Sequence, residues 1–296
     1  MRKRGFAPGF IAKGAALDIA TVIGIVLAFG CVLISAFFGG ANPAVLLRWT
    51  AFVLVVGGTI GATIVSFPLG TFLDGIVRGF RTAFFQPEHH ERQTIQTLVT
   101  FAEKARREGL LALETEAAEV QDDFMRKGIQ LVIDGRDTEI IRKILETEVS
   151  LQQERGAKAE AVFMTMGGYS PTLGIIGTVL GLIGMLSALA GSQADSSGGG
   201  GITNKLGSST AEAFVATFFG ILFANLLWLP IAAKVKERNT QGLLLREIQI
   251  EGILSIQAGD NPRLLEEKLH AYLPQEQREE EEAAGAETVE PAGQQA

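Results

Sequence analysis

The sequence predicts an all-α integral membrane protein. It has four transmembrane helices, a helical cytoplasmic domain between the second and third, and both termini in the cytoplasm. Three observations lead there. The chain is 47% hydrophobic and only 20% charged, with mean hydropathy +0.25, too apolar for an ordinary soluble domain. Four runs, Ile19–Phe38, Trp49–Phe67, Ser170–Leu189 and Ala213–Ala233, each approach the ~20 residues a helix needs to cross a bilayer. Of the 26 Lys and Arg residues, only Arg48 and Lys205 fall in the two short links that join the paired spans. The positive-inside rule therefore places the termini and the long middle region on the cytoplasmic side.

The segments follow in order. Residues 1–18 form a basic arm opening Met-Arg-Lys-Arg; no small-residue cleavage site follows, so the arm and first span read as an uncleaved anchor. Residues 19–67 are the first hairpin, its link Gly39-Gly-Ala-Asn-Pro43 a turn by composition. The lone cysteine, Cys31, lies inside the first span and has no intrachain disulfide partner.

Residues 68–168 are the cytoplasmic domain. Leu69–Phe85 continues as an amphipathic segment, broken at Pro87 and His89-His90. Gln93–Glu108 is helical by pattern, with Ile95, Leu98, Val99, Ala102 and Ala105 on one face. Gly109 ends it, and a further helix is expected from about Leu110 to Ile133. Asp134-Gly135 makes a turn, after which Asp137 or Thr138 caps a helix running toward Phe163. Residues 169–233 are the second hairpin, 234–274 are C-terminal cytoplasmic helices, and 275–296 are an acidic, low-complexity tail expected to be disordered. That tail supplies much of the net charge of -7, which therefore says little about partners.

The interiors of the third and fourth spans carry no carboxylate, lysine, arginine or histidine, yet each holds a threonine well inside it, Thr178 and Thr217. Hydroxyls without charges fit the wall of an ion path whose titrating group belongs to another chain. They fit equally well two hydroxyls bonding their own i−4 carbonyls. Gly174, Gly177, Gly181 and Gly184 share one face of the third span, and Ala213, Ala216, Gly220 and Ala224 share one face of the fourth. Small residues at that spacing let membrane helices approach closely. Pro171 is expected at the entry of the third span, where its missing N–H is harmless. Pro230 lies inside the cytoplasmic end of the fourth, frees the carbonyl of Leu226 and should bend the helix.

Other chemistry finds no support. The stretch Ser192–Thr210, with Ser196-Ser-Gly-Gly-Gly-Gly201, lacks the preceding strand and the lysine-hydroxyl pair of a phosphate loop, and reads as a flexible link. His89-His90 has no further Cys or His nearby to complete a metal site. No nucleophile–base pair and no nucleic-acid module is present, so neither an enzyme nor a nucleic-acid binder is expected, and no cofactor. A self-contained transporter would need an intramembrane charge that these spans lack.

Six ordered motifs carry a family resemblance over about Leu17 to Pro274. They are Asp18-Ile-Ala-Thr-Val-Ile-Gly-Ile, Val56-Gly-Gly-Thr-Ile-Gly-Ala, Phe124-Met-Arg-Lys-Gly-Ile, Pro171-Thr-Leu-Gly-Ile-Ile-Gly-Thr-Val-Leu-Gly-Leu, Ala224-Asn-Leu-Leu-Trp-Leu-Pro-Ile-Ala and Glu251-Gly-Ile-Leu-Ser-Ile-Gln-Ala-Gly-Asp-Asn-Pro-Arg. On these the chain resembles the MotA/PomA family, the A subunits of the flagellar motor stator.

The resemblance implies a multi-pass protein of the bacterial inner membrane, a homopentamer around two copies of a MotB- or PomB-type B subunit. An aspartate of that partner would bind the ion, Na+ or H+, and ion flow would turn the pentamer against the rotor switch protein FliG. It also implies roles for residues. Pro171 and Pro230 match the two coupling prolines, and Thr178 and Thr217 match the threonines lining the ion path. Arg106 and Glu114, in Lys104-Ala-Arg-Arg-Glu-Gly-Leu-Leu-Ala-Leu-Glu114, match the charges facing the rotor, with Arg107 beside them.

Proton-driven relatives commonly carry alanine where this chain has Thr178, and a hydroxyl can coordinate a hard cation, so sodium is favoured over the same role driven by protons. Against that stands Pro43-Ala-Val-Leu-Leu-Arg48, where sodium-type relatives often place an acidic residue. The related ExbB/TolQ class has three spans and lacks this N-terminal hairpin, so the region Ile19–Phe67 separates the two readings.

Overall fold

The computed structural model describes residues 16–39, 48–86, 91–192 and 199–273. The expectations for the basic arm, the turn after the first span, Pro87 and His89-His90, the serine-rich part of the second link and the acidic tail lie largely outside those residues. Among the described residues the chain is helical but for one two-residue ladder, Ala16–Leu17 antiparallel to Phe85–Gln86. Four helices are long and apolar enough to cross a membrane.

The chain forms two compact units, one of residues 1–88 and 155–239, the other of 89–154 and 240–296. In the first unit, α1 (Ile19–Phe38) begins where Asp18 accepts the Thr21 N–H at 3.2 Å. It buries no residue of its own. The second span, α2 (Trp49–Ser66), contains a π turn at Val53–Gly57, immediately before Gly58. Its Thr59 and Thr63 are fully buried and donate to the i−4 carbonyls of Val55 (2.5 Å) and Thr59 (2.7 Å), so neither needs an outside partner.

The amphipathic α3 (Leu69–Phe84) turns Phe72, Gly75, Gly79 and Ala83 inward. The close approach explains the glycines: a methyl group at Gly75 would meet Val162 at 2.9 Å, and one at Gly79 would overlap the Phe163 ring. For this reason α3 and residues 155–168 pack with the spans rather than with the rest of the 68–168 segment.

The second unit has its own core. α4 (Glu91–Glu108) presents Ile95, Leu98, Phe101 and Ala102 to it and stops at Gly109, whose φ of 89° suits glycine. The continuous helix expected from Leu110 to Ile133 is instead three pieces. A 3₁₀ turn at Leu110–Leu113 leads into α5 (Glu114–Glu119), and α6 (Asp123–Ile133) restarts after a break. The break exists because Asp122 caps α6, accepting the Phe124 N–H at 2.9 Å, while Arg126 donates to the Val120 carbonyl at 3.0 Å. Gly135, at φ 67°, makes the expected turn.

α7 runs unbroken from Thr138 to Ser192, and α8 (Gly199–Phe223) passes through a π turn at Ala224–Trp228 into α9 (Leu229–Ala258). Asn261 then caps α10 (Pro262–His270) with proline at its first position. Leu265 and Leu269 of α10 close the second core with Ile129, Val132, Ile248 and Ile253.

Candidate functional site

The small-residue faces predicted for the third and fourth spans meet each other. A methyl group at Gly174 would lie 3.0 Å from the Ala216 carbonyl oxygen and 3.1 Å from Gly220 Cα, and one at Gly181 would lie 2.9 Å from Ala213 Cα. At Gly177 it would overlap the Ala216 methyl, and at Gly220 it would lie 2.8 Å from the Ser170 carbonyl oxygen. Gly184 differs: its nearest neighbour would be Ser209 Oγ at 3.7 Å, an ordinary contact. Four of the five glycines are thus needed for helix approach, and the fifth is not. Ala224, on the same face, is buried.

Thr178 and Thr217 come together in this contact. Their hydroxyls hydrogen-bond each other across the two spans. Thr178 Oγ1 also lies 3.2 Å from both the Gly174 and Ala213 carbonyl oxygens, and Thr217 Oγ1 lies 3.5 Å from the former. Two hydroxyls and two backbone carbonyls therefore gather at one half-buried point between the two helices. Such oxygens are hard ligands. They carry no formal charge and no titrating proton of their own.

The two prolines sit differently from each other. Pro171 does not open a helix. It lies far inside α7, because the helix begins at Thr138 rather than at the membrane boundary. Its missing N–H therefore leaves the Gly167 carbonyl without its i+4 donor, contrary to the harmless position expected. Beside it, buried Ser170 donates to the Gly220 carbonyl of the fourth span at 3.0 Å. Pro230 is exposed and follows the π turn Ala224–Trp228, which contains Leu226, the residue whose carbonyl it frees. The structure has this π turn where the sequence led to the expectation of a bend.

In the second unit Arg106, Arg107 and Glu114 are all exposed, the arginines in the last turn of α4 and Glu114 at the start of α5. The neighbouring Lys104 pairs instead with Glu116 at 2.7 Å. The break before α6 is held by Arg246, whose Nη1 donates to both Asp122 carboxylate oxygens (2.9 and 2.7 Å) and whose guanidinium lies 4.7 Å from the Phe124 ring. Burial pushes the Asp122 carboxyl up, but Arg246, Gln249 and the Phe124 N–H together hold it below the ordinary aspartate range.

Sequence reasoning missed three tethers. The Ser170 bond is one. At the link end of the second hairpin, Thr50 hydrogen-bonds Glu212, and Arg48 donates to Ser208 Oγ at 3.1 Å. Asp18, read only as part of a motif, is buried and paired with Lys234 and Arg238, each at 2.7 Å. Each joins residues far apart in sequence, so no local pattern announced it.

Comparison with known proteins bears on this geometry. Residues 116–248 match the model of the MotA/TolQ/ExbB proton channel family, and residues 22–109 match that of the motility protein A N-terminal region. Motility protein A of Bacillus subtilis (strain 168) is 36% identical over 266 residues, covering 88% of this chain and 93% of that protein. Chemotaxis protein PomA of Vibrio alginolyticus is 32% identical over 262 residues, covering 88% and 98%. Among solved structures, the flagellar MotAB stator complex from Bacillus subtilis superposes with TM-score 0.79 at 35% identity, covering 89% of this chain and 99% of the matched one. MotAB of C. jejuni gives TM-score 0.77 at 26% identity, covering 87% and 96%.

Proposed function

The chain belongs to the MotA family of motility proteins, within the MotA/TolQ/ExbB proton channel family, and from that premise we propose that it is the A subunit of a flagellar stator. The family is one of motor ion-channel subunits, not of enzymes. In this reading the chain sits in the bacterial inner membrane with both termini in the cytoplasm. Five copies surround two B subunits, and the B subunit's aspartate carries the ion past Thr178 and Thr217. The match over residues 22–109 supports the stator over the three-span ExbB/TolQ class, since that region holds the first hairpin.

The observation that carries the proposal is the hydroxyl pair Thr178–Thr217 between two spans without an interior charge. A conducting chain of this kind needs a carboxylate from elsewhere, because an intramembrane charge is costly and is kept only where it functions. Each elementary charge crossing 100 mV releases ~2.3 kcal/mol, enough to bias a conformational step. Pro171 and Pro230 would couple that step to the cytoplasmic helices, and Arg106, Arg107 and Glu114 would meet the rotor switch protein FliG.

Sodium is the favoured ion, supported by four oxygens gathered at one point. One observation favours protons: both hydroxyls are already satisfied by each other and by the flanking carbonyls, so neither needs an ion. Two measurements decide. Purified without a B subunit and reconstituted in liposomes, the chain should pass neither sodium nor protons, and robust flux would sink the stator reading. Co-expressed with its B subunit in a host lacking its own stators, it should drive swimming only when sodium is present, with Thr178→Ala weakening that dependence. Full swimming without sodium would assign the proton.

A further inference from the structure

The helix after Pro230 is anchored at one place to the start of the first span. Asp18 is buried, 5% exposed, and its carboxylate accepts from Lys234 Nζ and Arg238 Nη2, each at 2.7 Å, and from the Thr21 N–H at 3.2 Å. Its own N–H donates to the Phe84 carbonyl at 2.9 Å, beside the short ladder that ends α3. Lys234 and Arg238 stand four and eight residues after Pro230, one and two turns along the same face of α9. The proline and the π turn before it loosen the helix on one side of this anchor. A groove of about 330 Å³ lies between the first span and the same stretch, lined by Ala20, Gly24, Leu227, Pro230 and Lys234 among others. The helix is therefore irregular and incompletely packed at Pro230, yet gripped one turn later by a charged group from a different span.

We propose that Asp18 is a positioning residue, which fixes the segment after Pro230 to the first span and to α3, so that movement arising at the proline is transmitted to them rather than lost. The proposal rests on the stator reading for its motility test. Three features set Asp18 apart from an ordinary surface ion pair. It is buried, it meets two cations at once, and Arg238 is only 10% exposed. An isolated exposed pair would contribute little. Lys234 and the other donors also hold the carboxyl well below the usual range, so it stays ionised under all physiological conditions.

The test uses the full chain co-expressed with its B subunit in a host lacking stators. Asp18→Asn should cut swimming speed at least fivefold, and Asp18→Glu should restore at least half of it. Asp18→Asn leaves two cations facing a neutral amide, so a simple folding defect needs separating from a positioning one. The triple variant Asp18→Asn, Lys234→Met, Arg238→Met removes all three charges, which is commonly tolerated in a folded protein. It should co-purify with the B subunit within twofold of wild type and still swim at less than a fifth of wild-type speed. A triple variant that swims normally, or an Asp18→Glu variant that restores nothing, overturns the proposal.

Hydrogen exchange in the purified complex provides a readout independent of motility. Amides of 231–239 should exchange at least threefold faster in Asp18→Asn than in wild type, and unchanged exchange overturns the anchor. A wild-type complex that drives no swimming at all would instead defeat the stator reading, while the exchange result would still stand or fall alone.

Discussion

Replacing Gly220 by alanine tests whether the helix contact that joins Thr178 to Thr217 is as close as the structure has it. The added methyl would lie 2.8 Å from the Ser170 carbonyl oxygen, 2.9 Å from Gly174 Cα and 3.2 Å from Gly174 N. All three atoms belong to the backbone of the third span, so no side-chain rotation relieves the overlap and the helices must separate. Overpacking of this kind costs roughly 1–3 kcal/mol. Alanine is also the better helix former by up to about 1 kcal/mol, which partly masks the loss. Gly184→Ala receives the same propensity gain but meets only Ser209 Oγ at 3.7 Å, so the difference between the two variants isolates the packing term. Gly220→Ala should then be less stable than Gly184→Ala by roughly 1–3 kcal/mol, about 5- to 150-fold in the folding or assembly equilibrium. Thermal unfolding of the detergent-solubilised complex measures it, with co-purification of the B subunit as a second readout. Equal stability of the two variants would refute the close approach, and with it the oxygen cluster that depends on it.

Three further outcomes are expected. Reversing the two charges proposed to meet the rotor, Arg106→Glu with Glu114→Arg, should abolish or sharply reduce swimming while leaving the melting temperature within a degree or two, on the order of 0.5 kcal/mol, because both side chains are exposed. Asp18 and Asp122 both have folded-state pKa values below the ordinary 3.8, so each contributes stability above that pH and loses it as the pH falls from 3.8 through its lowered folded value. A melting temperature that is flat between pH 7 and 5 and falls below 4 is expected, with a shallower fall in Asp122→Asn; an identical acid slope in that variant would remove Asp122 from the account. Pro230→Ala restores a donor for the Leu226 carbonyl and should raise thermal stability while lowering swimming speed, and a variant that loses both would show that the proline serves the fold rather than movement.

The first span was legible residue for residue because lipid demands unbroken apolarity, and Ile19–Phe38 supplies it between Asp18 and Gly39. The glycine faces were legible because helical period alone puts Gly174, Gly177 and Gly181 in line. The helix ends in the membrane were not. Hydropathy marks where water stops, not where hydrogen bonding stops, so it hid the fact that the helix expected from Asp137 or Thr138 runs on past Phe163 into the third span and swallows Pro171. Propensity favours helix throughout Leu110–Ile133, yet Arg126, Arg246 and Asp122 together break it, and Arg246 lies more than a hundred residues away in sequence. The same distance concealed Asp18. Its N-cap role can be read from Asp18-Ile-Ala-Thr21, but its two cations belong to the helix just beyond the fourth span.

The two prolines, alike in the sequence motifs, have opposite local settings, and the difference constrains how motion can pass between the spans. Pro171 lies within one continuous helix, and the adjacent Ser170 is tied to the Gly220 carbonyl. Gly220 precedes the π turn at Ala224–Trp228, and Pro230 follows it. The third span is thus fastened to the fourth on the Thr217 side of the irregular turn, while Asp18 fastens the first span on the far side. Between those two attachments the fourth span has a π turn, a proline that offers the Leu226 carbonyl no i+4 donor, and an open groove. A displacement beginning at the Thr178–Thr217 pair would move the third span and the upper fourth span together, because their backbones touch and cannot slide apart cheaply. Any relative movement would then be taken up between Gly220 and Lys234, the stretch that holds the π turn.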